Sequence, residues 1–266
     1  MACGATRMVS SLLPLERQMP IKPEDRNHPL VGADRSALDE PLEVTLSRWQ
    51  TESSQLARAG IYGWLTDRVQ GSRVLEIGCG FGLSTLALVD AGKTVFALDN
   101  RMDCLEASQQ RAPDATYGMA DIHHYDDRLL DDLRTFAPDS VVCWLAGAPA
   151  NALPKDVPAA YAVMQHRLAL QQAIVRLASH LESVVTVHVA DRTALPWKLK
   201  DAGRQTMARL INTAVILDAP FTLAEADVQY RKISDLPLTP KSAAGVLEGV
   251  VPVVGEATLK RRHNPS

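Results

Sequence analysis

Three glycines at alternate positions, followed about 20 residues later by an acid, are the residues of this sequence best suited to bind a ligand. They are Gly78, Gly80, Gly82 and the acid Asp99. A short apolar run precedes the glycines, a helical pattern begins at Leu83, and a second strand pattern ends at the acid. Glycines let a ligand lie against the backbone, a helix start offers free N–H groups, and a strand-end acid accepts hydrogen bonds from ribose hydroxyls. The pattern predicts a nucleoside-binding half-site.

The spacing of the glycines separates two classes of ligand. The dinucleotide fingerprint G-x-G-x-x-G requires its third glycine at position 83, where this sequence has Leu83. Glu76 stands two residues before the first glycine, beside the place that a pyrophosphate would occupy. A zwitterionic amino-acid tail tolerates that carboxylate better than a pyrophosphate does. A tight turn without a ligand is the alternative, and the combination of Glu76, the glycines and Asp99 argues against it.

The segment EIGCGFG, residues 76–82, resembles the first motif of class I S-adenosylmethionine-dependent methyltransferases. The resemblance extends over residues 61–233 and implies S-adenosylmethionine as the cofactor. The cofactor-binding residues that it implies are Glu76, Gly78, Cys79, Gly80, Gly82, Asp99, Asn100, Asp121 and Ile122.

The resemblance also implies which part of the cofactor each of these residues would bind. The three glycines would accommodate the methionine portion, and Glu76 would orient the glycine loop and the amino group bound there. Asp99 would bind the ribose. Asp121 would meet the adenine amino group, and the backbone N–H of Ile122 would meet the adenine ring.

Alternating strand and helix patterns after residue 72 predict an α/β fold with one doubly wound, Rossmann-like domain. We expect a mainly parallel sheet of about seven strands, with helices on both faces. The last three predicted strands cover residues 183–190, 213–217 and 228–233.

Three regions are expected along the chain. Residues 1–45 form an N-terminal arm, residues 46–235 form the methyltransferase-like domain, and residues 236–266 form a C-terminal extension. The basic end of that extension, residues 260–263, is expected to be a solvated tail.

The acceptor of the methyl group is expected near the exit of the fourth strand. Ligands of open α/β sheets collect at the carboxyl ends of the strands, which brings residues 144–151, Tyr161 and the pair Asp191-Arg192 around the acceptor. Residues 49–62 form either a lid over the cofactor or a passively packed helix. The segment LAGA, residues 145–148, does not resemble the Asp/Asn-Pro-Pro-aromatic motif of DNA amino-methyltransferases, which argues against exocyclic base amines as acceptors.

No catalytic residue can be named from the sequence. A sulfonium methyl is electrophilic by itself, so the protein mainly orients the reactants and needs no covalent nucleophile. The adjacent His123 and His124 lack the spacing of a metal site, and one of them is a candidate base. His188 lies inside a strand pattern and is expected to be a hydrogen-bonded core residue.

Charge and composition limit the classes of partner. A net charge of −3 and a pI near 6.2 give no bulk attraction to nucleic acid or to anionic membranes. No apolar run approaches the ~20 residues of a membrane-spanning helix. Four cysteines without metal-ligand spacing indicate reduced thiols in a cytoplasmic protein.

The sequence favours a methyltransferase that acts on a small molecule. An RNA or protein methyltransferase remains an alternative, because a near-neutral total charge can include a basic face. A non-catalytic S-adenosylmethionine-binding module is the third possibility. The sequence makes no prediction about the oligomeric state.

Overall fold

The computed structural model describes residues 41–147, 153, 159–233 and 249–262, which form one mixed sheet with helices packed around it. The strands are β1 (Arg73–Ile77), β2 (Thr94–Asp99), β3 (Thr116–Met119), β4 (Ser140–Trp144), β5 (Thr186–Pro196), β6 (Phe221–Thr222), β7 (Val228–Lys232) and β8 (Val250–Arg261). The α-helices are α1 (Leu42–Arg58), α2 (Ile61–Thr66), α3 (Leu83–Asp90), α4 (Met102–Arg111), α5 (Asp127–Phe136), α6 (Ala159–Ser179) and α7 (Lys200–Leu210). Residues 1–40 of the predicted arm lie outside the described residues, and α1 begins inside the last part of that arm.

The sheet has the strand order β3-β2-β1-β4-β5-β8, and both β6 and β7 pair with β8. β1 to β5 are parallel, whereas β8 runs antiparallel to β5. The chain winds outwards in both directions from the central pair β1 and β4, and this leaves a crevice at their carboxyl ends. The predicted doubly wound, mainly parallel α/β fold is confirmed.

The two faces of the sheet bury separate hydrophobic cores. One core takes apolar side chains from α1 to α4, among them Leu56, Leu65, Leu88 and Leu105. The other takes them from α5 to α7, among them Leu133, Ile174 and Ala208. The side chains of β4 alternate between the two cores, as the pleat of a strand requires. None of the helices in the described parts of the chain is both long and apolar enough to cross a membrane.

β5 is longer than the strand predicted over residues 183–190 and begins later. It pairs with β4 up to Ala190 and continues its ladder with β8 as far as Pro196. Asp191 and Arg192, which were predicted to follow the strand, therefore lie inside it. The sequence did not reveal this extension, because the partner that supports it, β8, lies about 60 residues further along the chain.

The predicted C-terminal extension contributes a central strand of the sheet. β8 lies between β5 on one side and β6 and β7 on the other, so residues 250–261 belong to the sheet rather than to a segment outside the domain. The guanidinium of Arg261 donates to the carbonyl groups of Ala178, Leu181 and Val184, and Lys260 pairs with Asp227. The expectation of a solvated basic tail is wrong for these two residues.

The strand predicted over residues 213–217 is also wrong, because Ile211–Ile216 is a π-helix that continues α7. Its apolar, β-branched composition is typical of a strand. The segment is helical instead, and side-chain amides donate hydrogen bonds to backbone carbonyl groups in it and beside it. Asn212 Nδ2 donates to the carbonyl groups of Ala208 and Leu223, and Gln172 Nε2 donates to that of Ala214. Such side-chain bonds stabilise a wide turn that is uncommon in proteins.

Candidate functional site

A cleft of about 400 Å³ lies at the carboxyl ends of β1, β2 and β4, where a doubly wound sheet binds its ligands. Seven of the nine residues predicted to bind the cofactor line this cleft: Gly78, Cys79, Gly80, Asp99, Asn100, Asp121 and Ile122. Glu76 and Gly82 do not line it. The structure therefore brings together most of the predicted site and separates two members whose contacts are internal.

The backbone of the glycine loop is fixed to the second strand. The N–H groups of Gly78 and Cys79 donate to the carbonyl of Leu98, at 2.7 and 3.1 Å. The N–H of Gly80 donates to Asp99 Oδ2 at 2.9 Å. These three N–H groups are therefore engaged within the protein and are not available to bind a phosphate.

Gly80 and Gly82 both have positive φ angles, but for different packing reasons. A Cβ on Gly80, at φ 50°, would meet no atom within 4 Å, so this residue presents open backbone to the cleft. A Cβ on Gly82, at φ 78°, would lie 2.6 Å from the Cα of Ser108 on α4. Gly80 leaves room for a ligand, whereas Gly82 lets α3 and α4 approach closely.

Glu76 is buried, and helix α3 occupies both of its carboxylate oxygens. Ser84 Oγ donates to Oε1 at 2.5 Å, and Thr85 Oγ1 donates to Oε2 at 2.6 Å. Burial raises the pKa of Glu76 to about 7, although the two hydroxyl groups oppose this shift. Glu76 thus ties the strand before the glycine loop to the helix after it. Its predicted contact with a bound amino group remains a prediction.

Asp99 combines a fixed position with access to the cleft. Its Oδ2 accepts the N–H of Gly80, and its Oδ1 accepts the N–H of Arg101 at 3.1 Å. Burial raises the pKa of Asp99, and these backbone donors partly offset the effect. Two carboxylate oxygens have about four acceptor sites, so the group keeps acceptor capacity beyond its backbone bonds and offers it to a diol in the cleft.

Asp121 and Ile122 lie at the other end of the cleft, after β3. Asp121 accepts the backbone N–H of His123 at 2.9 Å and contacts His124 Nδ1 at 3.1 Å. The hydrogen bond from His123 is the largest of several effects that lower the pKa of Asp121. Ile122 is buried and packs against the core beneath. This end offers a carboxylate acceptor beside an apolar wall.

The exit of β4 forms another wall of the cleft. Trp144, Leu145, Ala146 and Gly147 line it, and residues 148–151 of the predicted acceptor region lie outside the described residues. Leu145 has a left-handed backbone, at φ 59°, and its N–H donates to the carbonyl of Ala190. A left-handed backbone conformation costs a residue other than glycine roughly 1–3 kcal/mol, and such residues cluster at functional sites. Tyr161 and Asp191, also predicted here, do not line the cleft.

Helix α1 lines the cleft, and two of its side chains contact the exit of β4 and strand β5. The ring of Trp49 packs so closely on Gly147 that a Cβ there would lie 2.7 Å from it. Glu52 Oε2 pairs with Arg192 Nη1 of β5 at 2.5 Å. Arg192, predicted to lie near the acceptor, lines the cleft through this pair. The sequence did not identify Glu52, although its position one helical turn from Trp49 puts both on the same face of α1.

His166 is a further residue of the cleft that sequence reasoning missed. It lies on α6 four residues before Leu170, and both side chains line the cleft. This i, i+4 spacing on a helix that packs on the sheet was the available signal. Beside it, Arg167 pairs with Asp191 at 3.4 Å.

Three cysteines also line the cleft, namely Cys79, Cys104 and Cys143. All three are free thiols, and burial raises the pKa of each, to about 12 for Cys104. Since the thiolate is the reactive form, these side chains are inert protonated thiols at neutral pH. Among the described residues, no group of three or more His, Cys, Asp or Glu side chains is arranged to hold a metal ion.

No protein-family model matches the sequence, and no curated protein matches it either. Solved structures do resemble the fold. A TehB-like SAM-dependent methyltransferase from Corynebacterium glutamicum has 17% sequence identity, with 83% of this chain and 100% of that chain covered and a TM-score of 0.45.

Two further structures show a likeness of the same degree. The magnesium protoporphyrin IX methyltransferase from Synechocystis with bound SAM has 14% identity, covering 85% of this chain and 88% of that one at a TM-score of 0.44. A putative RNA methyltransferase from Pyrococcus horikoshii has 13% identity, covering 80% and 84% at a TM-score of 0.45. Likeness at this level assigns no activity or ligand to this chain.

Proposed function

We propose that this protein is an S-adenosylmethionine-dependent methyltransferase. The observation that carries the proposal is the hydrogen bond from the Gly80 N–H to Asp99. It holds a carboxylate with spare acceptor capacity directly beside an open stretch of glycine backbone. A nucleoside whose ribose diol faces Asp99 therefore extends its 5′ substituent along the glycine loop.

The residues of the cleft fit this cofactor along its length. Gly78 and Gly80 accommodate the methionine portion, Asp99 and Asn100 bind the ribose, and Asp121 with Ile122 binds the adenine. The cleft volume falls within the range of ~300–1,000 Å³ that is usual for small-molecule sites. Glu76 acts indirectly, since its contacts with Ser84 and Thr85 hold the loop.

A dinucleotide fits the same cleft poorly. A pyrophosphate needs several unpaired N–H groups at the glycine loop, and those of Gly78, Cys79 and Gly80 already donate within the protein. The internal bonds of the loop thus support the distinction first drawn from the glycine spacing.

The bound cofactor supplies an electrophilic methyl group. The protein has to orient the acceptor and exclude water, and α1 is suited to both tasks. Trp49 on Gly147 and the Glu52–Arg192 pair hold α1 over the cleft, which supports a cover rather than passive packing.

A small molecule is the acceptor that the cleft favours. Among the described residues, two arginines line it, and each has an acidic partner: Arg192 pairs with Glu52, and Arg101 pairs with Asp103. Neither presents an unpaired charge to a phosphate backbone, which is the main source of affinity for RNA or DNA. We also propose a cytoplasmic location, supported by the free thiols.

Calorimetry with S-adenosylhomocysteine and with NAD tests the cofactor. We expect the first to bind much more tightly than the second. Asp99→Ala should weaken S-adenosylhomocysteine binding by about 1.5–3 kcal/mol, because a charged acceptor for the ribose is lost. Asp99→Asn, which keeps one acceptor, should lose less. Comparable or tighter NAD binding contradicts the proposal.

The acceptor class is tested by transfer of a labelled methyl group to a fractionated cell extract. Label in the small-molecule fraction supports the proposed acceptor class. Label in RNA or protein supports the alternative macromolecular acceptor. Cofactor binding without label in any fraction supports a non-catalytic binding module.

A further inference from the structure

His166 lines the cleft, and its ring has no hydrogen-bond partner among the described residues. It is half-buried and belongs to the helix that follows β4. Since β4 ends at the acceptor side of the crevice, this helix carries His166 to the same side. An accessible imidazole with an unengaged nitrogen is suited to proton transfer.

The carboxylates of the cleft are already engaged and are poor alternatives as proton acceptors. Glu52 pairs with Arg192, Asp99 accepts two backbone N–H groups, and Asp121 accepts from His123 and contacts His124. The three cysteine thiols retain their protons at neutral pH, as their raised pKa values indicate. Among the described residues that line the cleft, His123 and His166 are the remaining candidates.

His123 belongs to the adenine end of the cleft. It directly follows Ile122, and its backbone N–H donates to Asp121. His166 approaches from α6, on the same helical face as Leu170. His166 lies on the helix that follows β4, whose exit is on the acceptor side of the crevice, so its position suits a base acting on the acceptor.

We propose that His166 receives the proton that the acceptor loses when it is methylated. This inference rests on the proposed methyltransferase function, and it narrows the acceptor to a compound that gives up an O–H, N–H or S–H proton on methylation. A lone pair of the acceptor forms the new bond to the methyl carbon, and the electron pair of the broken C–S bond stays on sulfur. The acceptor proton moves to the unengaged ring nitrogen, and the resulting imidazolium later releases it to solvent.

The charges around His166 favour the neutral base. Burial lowers the pKa of His166, and electrostatic interactions with His123 and with the guanidinium of Arg167 lower it further. Asp191 on β5 partly compensates Arg167, and Arg192 on the same strand is compensated by Glu52. The lowered pKa keeps the ring unprotonated at neutral pH, and the charge of Arg167 promotes release of the proton that the ring takes up.

The test compares His166→Gln with His180→Gln, an exposed histidine just after the same helix. Calorimetry with S-adenosylhomocysteine should give the wild-type affinity for both variants. Methyl transfer to the small-molecule fraction of a cell extract should fall about 10²–10⁴-fold at pH 7 for His166→Gln alone. In an NMR titration of the ring-labelled histidines, the signal lost in His166→Gln should titrate below the ordinary value of about 6.5.

The pH dependence of the methyl-transfer rate should also differ between the wild type and His166→Gln. Wild-type transfer should level off above the pKa of His166, whereas transfer by His166→Gln should keep rising with pH as the acceptor ionises without help. Unchanged transfer, an equal loss of cofactor affinity, or a raised ring pKa each overturns the role of His166. If the wild-type protein does not bind S-adenosylhomocysteine at all, the proposed function itself fails.

Discussion

Two buried glutamates differ in their hydrogen-bond partners and in the direction of their pKa shifts. One lies in the glycine-loop region, and the other lies in the C-terminal strands. Glu76 of β1 is held by two neutral hydroxyl donors, Ser84 and Thr85. Glu256 of β8 is held by His188, Thr258 and Arg68. Burial raises the pKa of both carboxyl groups, and only for Glu256 do the partners reverse the shift. Glu76 therefore tends toward a neutral acid, and Glu256 stays charged.

The two regions also differ in the sequence distance that their contacts span. Glu76 meets its partners 8 and 9 residues away, and Asp99 meets Gly80 19 residues away. Glu256 meets His188 across 68 residues and Arg68 across 188. The glycine-loop region is thus built from local contacts, whereas the C-terminal strands depend on distant ones.

Glu256→Ala tests the C-terminal side of this comparison and should have the largest effect. The substitution leaves His188 and Arg68 without their buried carboxylate, and removing one partner of a buried pair costs roughly 3–5 kcal/mol. Chemical denaturation measures the loss. Glu225→Ala is the control, because Glu225 is exposed and also lies in the C-terminal part of the chain. It should change stability by less than about 0.5 kcal/mol.

The pH dependence gives a second readout of the same substitution. The folded-state pKa of Glu256 is lowered, so its contribution is present above the pKa of an unfolded glutamate. It is lost as pH falls through the folded-state value. The stability gap between wild type and Glu256→Ala should therefore narrow in acid, and a gap that widens there would contradict the charged assignment.

The locality of the contacts explains which parts of the molecule the sequence predicted. The glycine loop, β1, α3 and β2 follow from the spacing of the glycines and Asp99, because each contact lies within one strand-helix-strand unit. Seven of the nine predicted cofactor-binding residues consequently line one cleft. Gly82 was predicted to accommodate the methionine portion of the cofactor, whereas in the structure it lets α3 pack closely on α4.

The C-terminal third was predicted less well because its elements depend on distant partners. The length of β5 is set by β8, and no pattern in residues 186–196 identifies that partner. The π-helix after α7 depends on Gln172 and Asn212, whose amide bonds outweigh a strand-like composition. His166 was missed for a similar reason. A single polar residue on a long helix can be assigned to a site only when the elements that pack opposite it are known.

Gly82→Ala tests the packing role of Gly82 in the glycine-loop region and should have the next largest effect on stability. The added Cβ meets the backbone of Ser108 and the residue must keep a positive φ, which together cost roughly 2–4 kcal/mol of stability. Gly80→Ala is the matched variant, because its Cβ meets no atom and only the φ strain remains. Thermal denaturation should rank Gly82→Ala below Gly80→Ala, while calorimetry should show the larger loss of S-adenosylhomocysteine affinity in Gly80→Ala. The reverse order of affinities would mean that Gly82, not Gly80, faces the ligand.

Glu76→Gln should have the smallest effect and tests whether Glu76 differs from Glu256 as described. A glutamine can still accept from one hydroxyl group and donate to the other, as the protonated acid does. The pKa of Glu76 is about 7 in the folded protein and 4.5 in the unfolded chain, so the wild type loses stability as pH rises between these values. The variant has no such titration.

Relative to wild type, Glu76→Gln should therefore gain stability between pH 5 and pH 8, by at most about 1.4 kcal/mol for each unit of the pKa shift. Melting temperatures of both proteins at the two pH values measure this difference. Cofactor affinity should change little, because Glu76 does not line the cleft and acts through Ser84 and Thr85. A variant that is destabilised more at pH 8 than at pH 5 would show that Glu76 is charged and paired, like Glu256. A large loss of S-adenosylhomocysteine affinity in a stable variant would instead mean that its carboxylate reaches the bound amino group.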